Sequence, residues 1–400
     1  MNINTIVKNK NCTSCNACIN SCPMHCIQAK PDEDGFIYPK IDISECNNCS
    51  VCYKVCPVSS ESTENKSEED PIVYAAKLKD KTILKRSSSG GMFPLIANYV
   101  LSRNGIVFGC ILDESFKAII VGSQDEKVVK QMSGSKYVQS DTGYTYLEVK
   151  KNLESNKLVL YTGTPCQIAG LKKFLKKSYD NLITLDLICH GVPSPKFFNE
   201  YIKWLEKKHK CKVIKYEFRN KEKYGWDIAP KITFDKKEYF LSGVTDPYNN
   251  PFLFAKNYRE CCYKCRYANF KREGDFTIGD YWGIEKYHSD FCNAVNRKEG
   301  FSLLLVNSEK GKKIFEEYLY KEIDYIQSKL DWAIVKNENL VHPAERSLER
   351  DDFYKAFNEI GFQSYAKSFF KSSLYIKYKL RSLIPSKFKG IIKNIIIKEK

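Results

Sequence analysis

Apolar and polar residues alternate along this chain in two rhythms. The switch between them marks a strand–helix–strand unit near the middle of the sequence. Lys157 to Tyr161 alternates apolar positions and ends in the turn Gly163-Thr164-Pro165. Thr164 stands at an N-cap position, Pro165 at the first helical position, and QIAGLKKFLKK follows with helical spacing. Asn181 to Ile188 is then a short, almost wholly apolar run, as a buried strand should be. Two strands joined by a crossover helix pair parallel. The unit therefore brings Cys166, just past its first strand, and Cys189, at the end of its second, to one sheet edge. Open α/β sheets bind their ligands at that edge. Cys166 also falls in the first turn of its helix, where the dipole favours thiolate.

The same patterning predicts further elements on either side. A strand and turn cover Pro71 to Lys85, and a helix begins at MFPLIANYVLSR. Gly105 to Leu112 and Ala118 to Gly122 read as paired strands, and Phe197 to Lys208 as a helix. Strands follow around Val213 to Phe218, Lys231 to Phe234 and Phe301 to Asn307, then a helix from Gly311 to Tyr320. Residues 59–70, SSESTENKSEED, are polar, acidic and without periodicity, and read as a linker.

Four hundred residues exceed a single core, and 43% hydrophobic and 13% aromatic content are those of a folded protein. No stretch reaches the apolar length of a membrane span, and the N-terminus lacks the apolar run of a signal peptide. The expected location is cytoplasmic. The net charge of +16 is uneven: residues 367–400 carry ten Lys/Arg against one Glu, or +9. The remainder is only mildly basic, so nucleic acid is not an expected partner. The tail interleaves basic with apolar and aromatic residues. It can lie peripherally on the inner membrane surface, or pack as a helix on its own body.

Seventeen cysteines at metal spacings point to reduced ligands rather than disulfides. Cys12, Cys15, Cys18 and Cys22 with Pro23 form C-x2-C-x2-C-x3-C-P, and Cys46, Cys49, Cys52 and Cys56 with Pro57 repeat it. This is the bacterial two-cluster ferredoxin pattern, in which the fourth cysteine of each run ligates the other run's cluster. One 4Fe–4S cluster takes Cys12, Cys15, Cys18 and Cys56. The other takes Cys46, Cys49, Cys52 and Cys22. Two complete runs with both prolines favour clusters over zinc. Cys26 stands outside the pattern and reads as a small buried residue.

Cys262 and Cys265 form a further C-x2-C pair with Cys261 as an extra thiol; the pair is half a metal site, and Cys166 and Cys189 complete it. Cys110, Cys211 and Cys292 read as packing residues. The loop Ser87-Ser88-Ser89-Gly90-Gly91 opens a helix and presents N–H groups to an anion, or is a capped surface turn. Gly134 to Ser140 adds a cation, hydroxyls and an aromatic ring. Asp275 to Gly283 is a strand running into a Gly turn, able to line a flavin pocket or serve as a plain turn. No G-x-G-x-x-G or Walker A sequence occurs, so nicotinamide-Rossmann and P-loop readings have no support.

Taken together, these motifs resemble the coenzyme F420 hydrogenase/dehydrogenase beta-subunit family. The matching stretches are Ser89-Gly90-Gly91, Gly134 to Ser140, Gly163 to Gln167, Cys189-His190-Gly191, Cys262-x-x-Cys265 and Gly279 to Gly283. They run from Pro71 to about Asn307. The resemblance implies FAD near Ser89, Gly90, Gly91, Ser135, Lys136 and Tyr137. It also implies a third 4Fe–4S cluster on Cys166, Cys189, Cys262 and Cys265. The expected fold class is α+β multidomain, a two-cluster ferredoxin fold followed by a mixed α/β body that binds flavin and iron–sulfur.

The expected division is a ferredoxin domain over residues 1–58, the linker over 59–70 and the flavin domain over 71–150. Its continuation with the third cluster covers 151–330, and a helical basic tail 331–400. The expected function is an iron–sulfur flavoprotein oxidoreductase. It takes electrons from a redox partner protein or small donor and delivers them to a two-electron organic acceptor, of the coenzyme F420 type or another. Richness in Lys, Ile and Asn suggests an AT-rich genome, whose host need not make coenzyme F420. Two alternatives are a non-enzymatic carrier or docking subunit, and a Cys166 nucleophile activated by its helix and His190.

Overall fold

The computed structural model describes residues 1–59 and 70–383, with side chains to residue 381. The linker reading of 59–70 and the far end of the basic tail fall almost wholly outside the described residues. Among the described residues, thirteen strands organise the fold. In order they are β1 (Ile27–Pro31), β2 (Ile37–Ile41), β3 (Ile72–Leu78), β4 (Ile106–Leu112), β5 (Ala118–Ser123), β6 (Val159–Gly163) and β7 (Leu182–Leu187). There follow β8 (Val213–Glu217), β9 (Lys231–Phe234), β10 (Glu238–Phe240), β11 (Phe276–Asp280), β12 (Ser302–Val306) and β13 (Ile323–Ser328).

The body is built on an eight-stranded mixed sheet in the order β13-β3-β12-β11-β7-β6-β4-β5. Its centre is parallel: β4 pairs with β6, β6 with β7, and β7 with β11. The outer strands β5, β12 and β13 pair antiparallel with their neighbours. β6 and β7 are buried almost throughout, which explains their continuous apolar runs. The Pro165–Leu175 helix between them starts as its sequence predicts, with Thr164 and Gln167 forming a capping box and Pro165 in the first turn. The C-terminal ends of β4, β6, β7 and β11 share one edge, as their common direction requires. Cys166, Cys189 and Asp280 all stand there.

A smaller antiparallel sheet, β10-β9-β8, forms a second layer with the Pro195–His209 helix. Its aromatic core includes Phe197, Phe198, Tyr201 and Tyr248. The Arg350–Lys371 segment joins that core through Tyr354, Phe357 and Phe362. It is kinked at Gly361, whose φ of 69° is left-handed. Half of the expected basic tail is therefore body, held by aromatic burial that its charge obscured. The Ser373–Leu383 helix beyond it exposes Ile376 and Leu380. Among the described residues, no helix is long and apolar enough to cross a membrane.

The N-terminal module is a β1–β2 hairpin with short helices, and it is docked on the body rather than merely tethered. Phe36 sits in the aromatic core of the second layer. Thr142 donates to the Cys15 carbonyl at 3.1 Å, and Asn20 donates to the Gly143 carbonyl at 2.9 Å. Ile37 N–H donates to Gln139 Oε1 at 3.0 Å, and Tyr267 OH to the Pro57 carbonyl at 3.1 Å.

Candidate functional site

Three groups of thiols form on this scaffold. Cys18 feels the charge of Cys12, Cys15 and Cys56, and Cys56 that of Cys15 and Cys12, so these four lie within electrostatic reach of one another. Cys22, Cys46, Cys49 and Cys52 ring a small cavity of about 20 Å³, with Cys26 beside them. The third group gathers at the sheet edge: Cys166 feels Cys265 and Cys189, and Cys262 feels Cys189 and Cys265. The groups also reach further thiols, since Cys18 feels Cys52 and Cys189 feels Cys261.

Cys26 and Cys261 are extra members. Cys26 Sγ is 3.5 Å from Cys22 Sγ, and the Cys261 thiol adjoins Cys262 and Arg259. No disulfide forms among the seventeen cysteines. Among the described residues, no three Cys, His, Asp or Glu side chains converge as one bound ion requires. A cubane cluster, with iron and sulfide at alternate corners, needs the wider spread of four thiols around a gap, and the donor sets are thiols alone. They fit 4Fe–4S clusters.

Burial reverses one expectation. The Cys166 thiol is pushed well above its ordinary value, chiefly by burial and then by Cys265, while the Thr164 hydroxyl 3.1 Å away pulls the other way. Desolvation outweighs the helix dipole, so the helix start alone does not supply a thiolate. Cys189 is likewise raised to about 12 by burial first. Neutralising charge must come with the bound group.

Two features that the sequence did not point to fasten the third group. Asp186, wholly buried, accepts from Arg272 Nη2 at 3.0 Å, Thr277 Oγ1 at 2.6 Å and Gly274 N–H at 2.9 Å. This ties the segment after Cys265 to β7. The N-terminal module reaches the same place, because Cys15 packs against Gly170, one helical turn after Cys166. A Cβ on Gly170 would lie 2.7 Å from Cys15 Sγ.

A cleft of about 1150 Å³ opens on the body, and among the described residues no cysteine lines it. Ser87, Ser135 and Lys136 line one side, with Arg219, Phe218 and Tyr216 opposite. Three residues link the thiols to the cleft, and the first of them, His190, keeps an exposed face. His190, next to Cys189, is held below its ordinary value by burial and feels the charge of Asp280. Asp280 pairs with Arg219 and accepts from Trp226 Nε1 at 2.6 Å. The Arg219 side chain is 2% exposed, and among the described residues its Nη2 has no hydrogen-bond partner. An unpaired, buried guanidinium N–H beside a roomy cleft fits an anionic or carbonyl-bearing ligand such as a flavin.

The expected flavin contacts divide in two. Ser135 and Lys136 line the cleft. Lys136 Nζ caps a helix end by donating to the carbonyls of Gln131, Met132 and Ser133. Burial brings its amine down to about 8. Ser89, Gly90 and Gly91 do not line it. Ser89 Oγ donates to the Phe301 carbonyl at 2.7 Å, and Gly90 N–H donates to Ser302 Oγ at 2.9 Å. Gly90 is pressed so close to β3 that a Cβ would meet the Ala76 carbonyl at 2.2 Å. Their loop reaches the cleft through Ser87, and through Ser88 Oγ, which accepts from Ser135 N–H at 2.9 Å. Tyr137 turns inward and stacks on Phe252 with ring centroids 4.5 Å apart.

Comparisons with known proteins bear on the family. Residues 73–144 match the N-terminal family model of the coenzyme F420 hydrogenase/dehydrogenase beta subunit, and residues 156–329 match the companion model for its C-terminal part. Residues 11–60 match a 4Fe-4S dicluster domain. No curated relative is matched by the chain. Among solved structures, a chain of the F420-reducing NiFe hydrogenase complex from Methanosarcina barkeri aligns at 14% identity and a TM-score of 0.44. The alignment covers 75% of this chain and 91% of that one.

Proposed function

Because the chain belongs to the coenzyme F420 hydrogenase/dehydrogenase beta-subunit family and carries a 4Fe–4S dicluster module, we propose that it is a flavin-dependent iron–sulfur oxidoreductase serving a two-electron organic acceptor. The observation that carries this reading is a large cleft bordered by Arg219, whose ion-pair partner Asp280 acts electrostatically on His190, the residue after Cys189. When bound, the clusters carry single electrons and the flavin pairs them for the acceptor.

The chain's own residues divide the work. Cys49 is exposed and Cys46 partly so, which gives the second group a face toward solvent and a redox partner protein. In the first group, Cys15 lies against Gly170 of the body. Cys166, Cys189, Cys262 and Cys265 would hold the third cluster. Ser135, Lys136 and Ser87 would border the flavin, with Arg219 Nη2 free to meet its polar edge. Trp226 stacks on Trp282 with ring centroids 4.6 Å apart and donates to Asp280, which holds the Arg219–Asp280 pair in place. The acceptor enters from the open cleft.

One observation favours a rival reading as an electron carrier without flavin: Ser89 and Gly90 spend their donors on the body instead of a ligand. Iron and flavin analysis of anaerobically purified protein separates the two. Three 4Fe–4S clusters require about 12 iron per chain, with about one flavin. Replacing Cys262 and Cys265 with Ser lowers iron to about 8 and abolishes acceptor reduction while sparing the N-terminal spectrum. Unchanged iron in that variant removes the third cluster, and absence of flavin after reconstitution leaves the carrier.

A further inference from the structure

Arg259 stands where the first and third thiol groups approach each other. Its Nε donates to the Cys12 carbonyl at 2.8 Å, and its Nη1 to the Ile37 carbonyl at 2.8 Å. The guanidinium lies 3.7 Å from the centre of the Tyr38 ring. Its own N–H donates to the Val192 carbonyl at 2.9 Å, three residues beyond Cys189, and Cys262 follows three residues later. One side chain is thus fastened to the N-terminal module, and its backbone to both arms of the third group.

The side chain is buried to 1% exposure, yet among the described residues its Nη2 has no hydrogen-bond partner. Every other polar edge of this guanidinium is fixed in place, so Nη2 has no freedom to turn elsewhere. Leaving a buried, charged donor unpaired is strongly unfavourable unless an acceptor meets it. The thiols within reach of the guanidinium are Cys261 and Cys12, and Cys12 belongs to the first group. A sulfur of an anionic iron–sulfur cluster is an acceptor of the required charge.

We infer that Arg259 donates a hydrogen bond from Nη2 to the cluster of the first thiol group and, as a fixed buried cation, raises that cluster's reduction potential. The inference rests on the first group holding a 4Fe–4S cluster. Reduction adds one electron and one negative charge to the cluster, and a cation held beside it favours that state. Arg259 is a positioning residue for electron transfer across the module junction, and no proton or bond changes hands.

The test is an EPR-monitored redox titration of the full chain, with iron counted first. It is made in the Cys262→Ser/Cys265→Ser background, where only the N-terminal groups contribute. Arg259→Gln is expected to make reduction of one cluster at least tenfold less favourable, which is 59 mV for one electron. Arg259→Lys keeps the charge with fewer fixed donors and is expected to fall between, and it carries the test if the Gln variant loses iron. Ser14→Ala removes a different donor to the Ile37 carbonyl, at 2.7 Å, and is expected to leave the potential alone. Unchanged potentials with iron intact overturn the inference. So does a shift in Ser14→Ala as large as in Arg259→Gln, which would make the role merely structural. Absence of N-terminal iron in the parent protein would instead remove the underlying reading.

Discussion

Asp246 is wholly buried, and its surroundings set burial against hydrogen bonding. It accepts from Tyr201 OH at 2.6 Å and from the amides of Tyr248 and Asn249 at 2.8 and 2.7 Å. Burial nonetheless raises its carboxyl from 3.8 to about 6. The folded chain therefore holds this proton more tightly than the unfolded chain does. The stabilisation is fully present below the ordinary carboxylate value and is lost as pH rises through 6. A shift of this size corresponds to about 3 kcal/mol between protonation states. Asp246→Asn keeps the acceptor for the two amides without the charge. Against that variant, the parent is expected to lose stability steadily from about pH 4 to pH 6 and then level off, in unfolding free energies at each pH. Parallel curves would refute the assignment.

The run SGVTDPYNN supplies the two amides but did not announce the burial of its acid, because Tyr201 and the core that covers it come from another helix. The buried arginines left a faint trace. The chain uses ten Arg against 54 Lys, yet Arg219, Arg259, Arg272 and Arg350 are all buried. A lysine-rich chain places Arg where a planar fork of donors must meet several fixed acceptors, which an ammonium cannot do. Scarcity was the available signal.

At the level of elements, the Pro165–Leu175 helix is the best case of local legibility and of its limit. Thr164, Pro165 and Gln167 define the start because capping is an interaction among near neighbours. The parallel strands on either side followed from their apolar runs, and with them the meeting of Cys166 and Cys189. Gly170 in the same helix gave no sign, because its role is set by a residue 155 positions earlier. A Cβ there would meet Cys15 Sγ at 2.7 Å and Tyr146 Oη at 3.0 Å. Alanine normally gains about 1 kcal/mol over glycine within a helix. Here the clash reverses the sign, and Gly170→Ala is expected to destabilise the protein by about 1–3 kcal/mol. A lower thermal midpoint with the Cys12 group's spectrum perturbed would bear this out. A stabilised protein with that spectrum intact would mean that the module yields freely at this contact.

Over the whole molecule, the two thiol-rich regions act as one body although their sequences look separable. The acidic, aperiodic run of 59–70 suggests a tether, and a tether leaves the orientation of its module open. What fixes the orientation is scattered through the body. Gln139, Thr142, Gly143, Arg259 and Tyr267 each bond the module directly, and Lys196 donates to the Glu33 carbonyl at 2.9 Å. Asp34 accepts from Asn358 at 3.0 Å, so even the C-terminal segment takes part. Contacts so dispersed cannot be read from any one stretch, because each needs two distant residues to be placed first. They also make the covalent link dispensable. Cutting the chain within residues 60–69 at an inserted protease site removes the effective concentration that a linker supplies, leaving the interface alone to hold the pieces. Most of these bonds are part-buried and are made to backbone groups rather than between exposed charges, so salt should weaken them little. The two fragments are expected to co-elute on gel filtration at micromolar concentration and ordinary salt, with iron per mole of complex unchanged. Separate elution would mean that the module is held by its linker, and that transfer between the first and third groups waits on its docking.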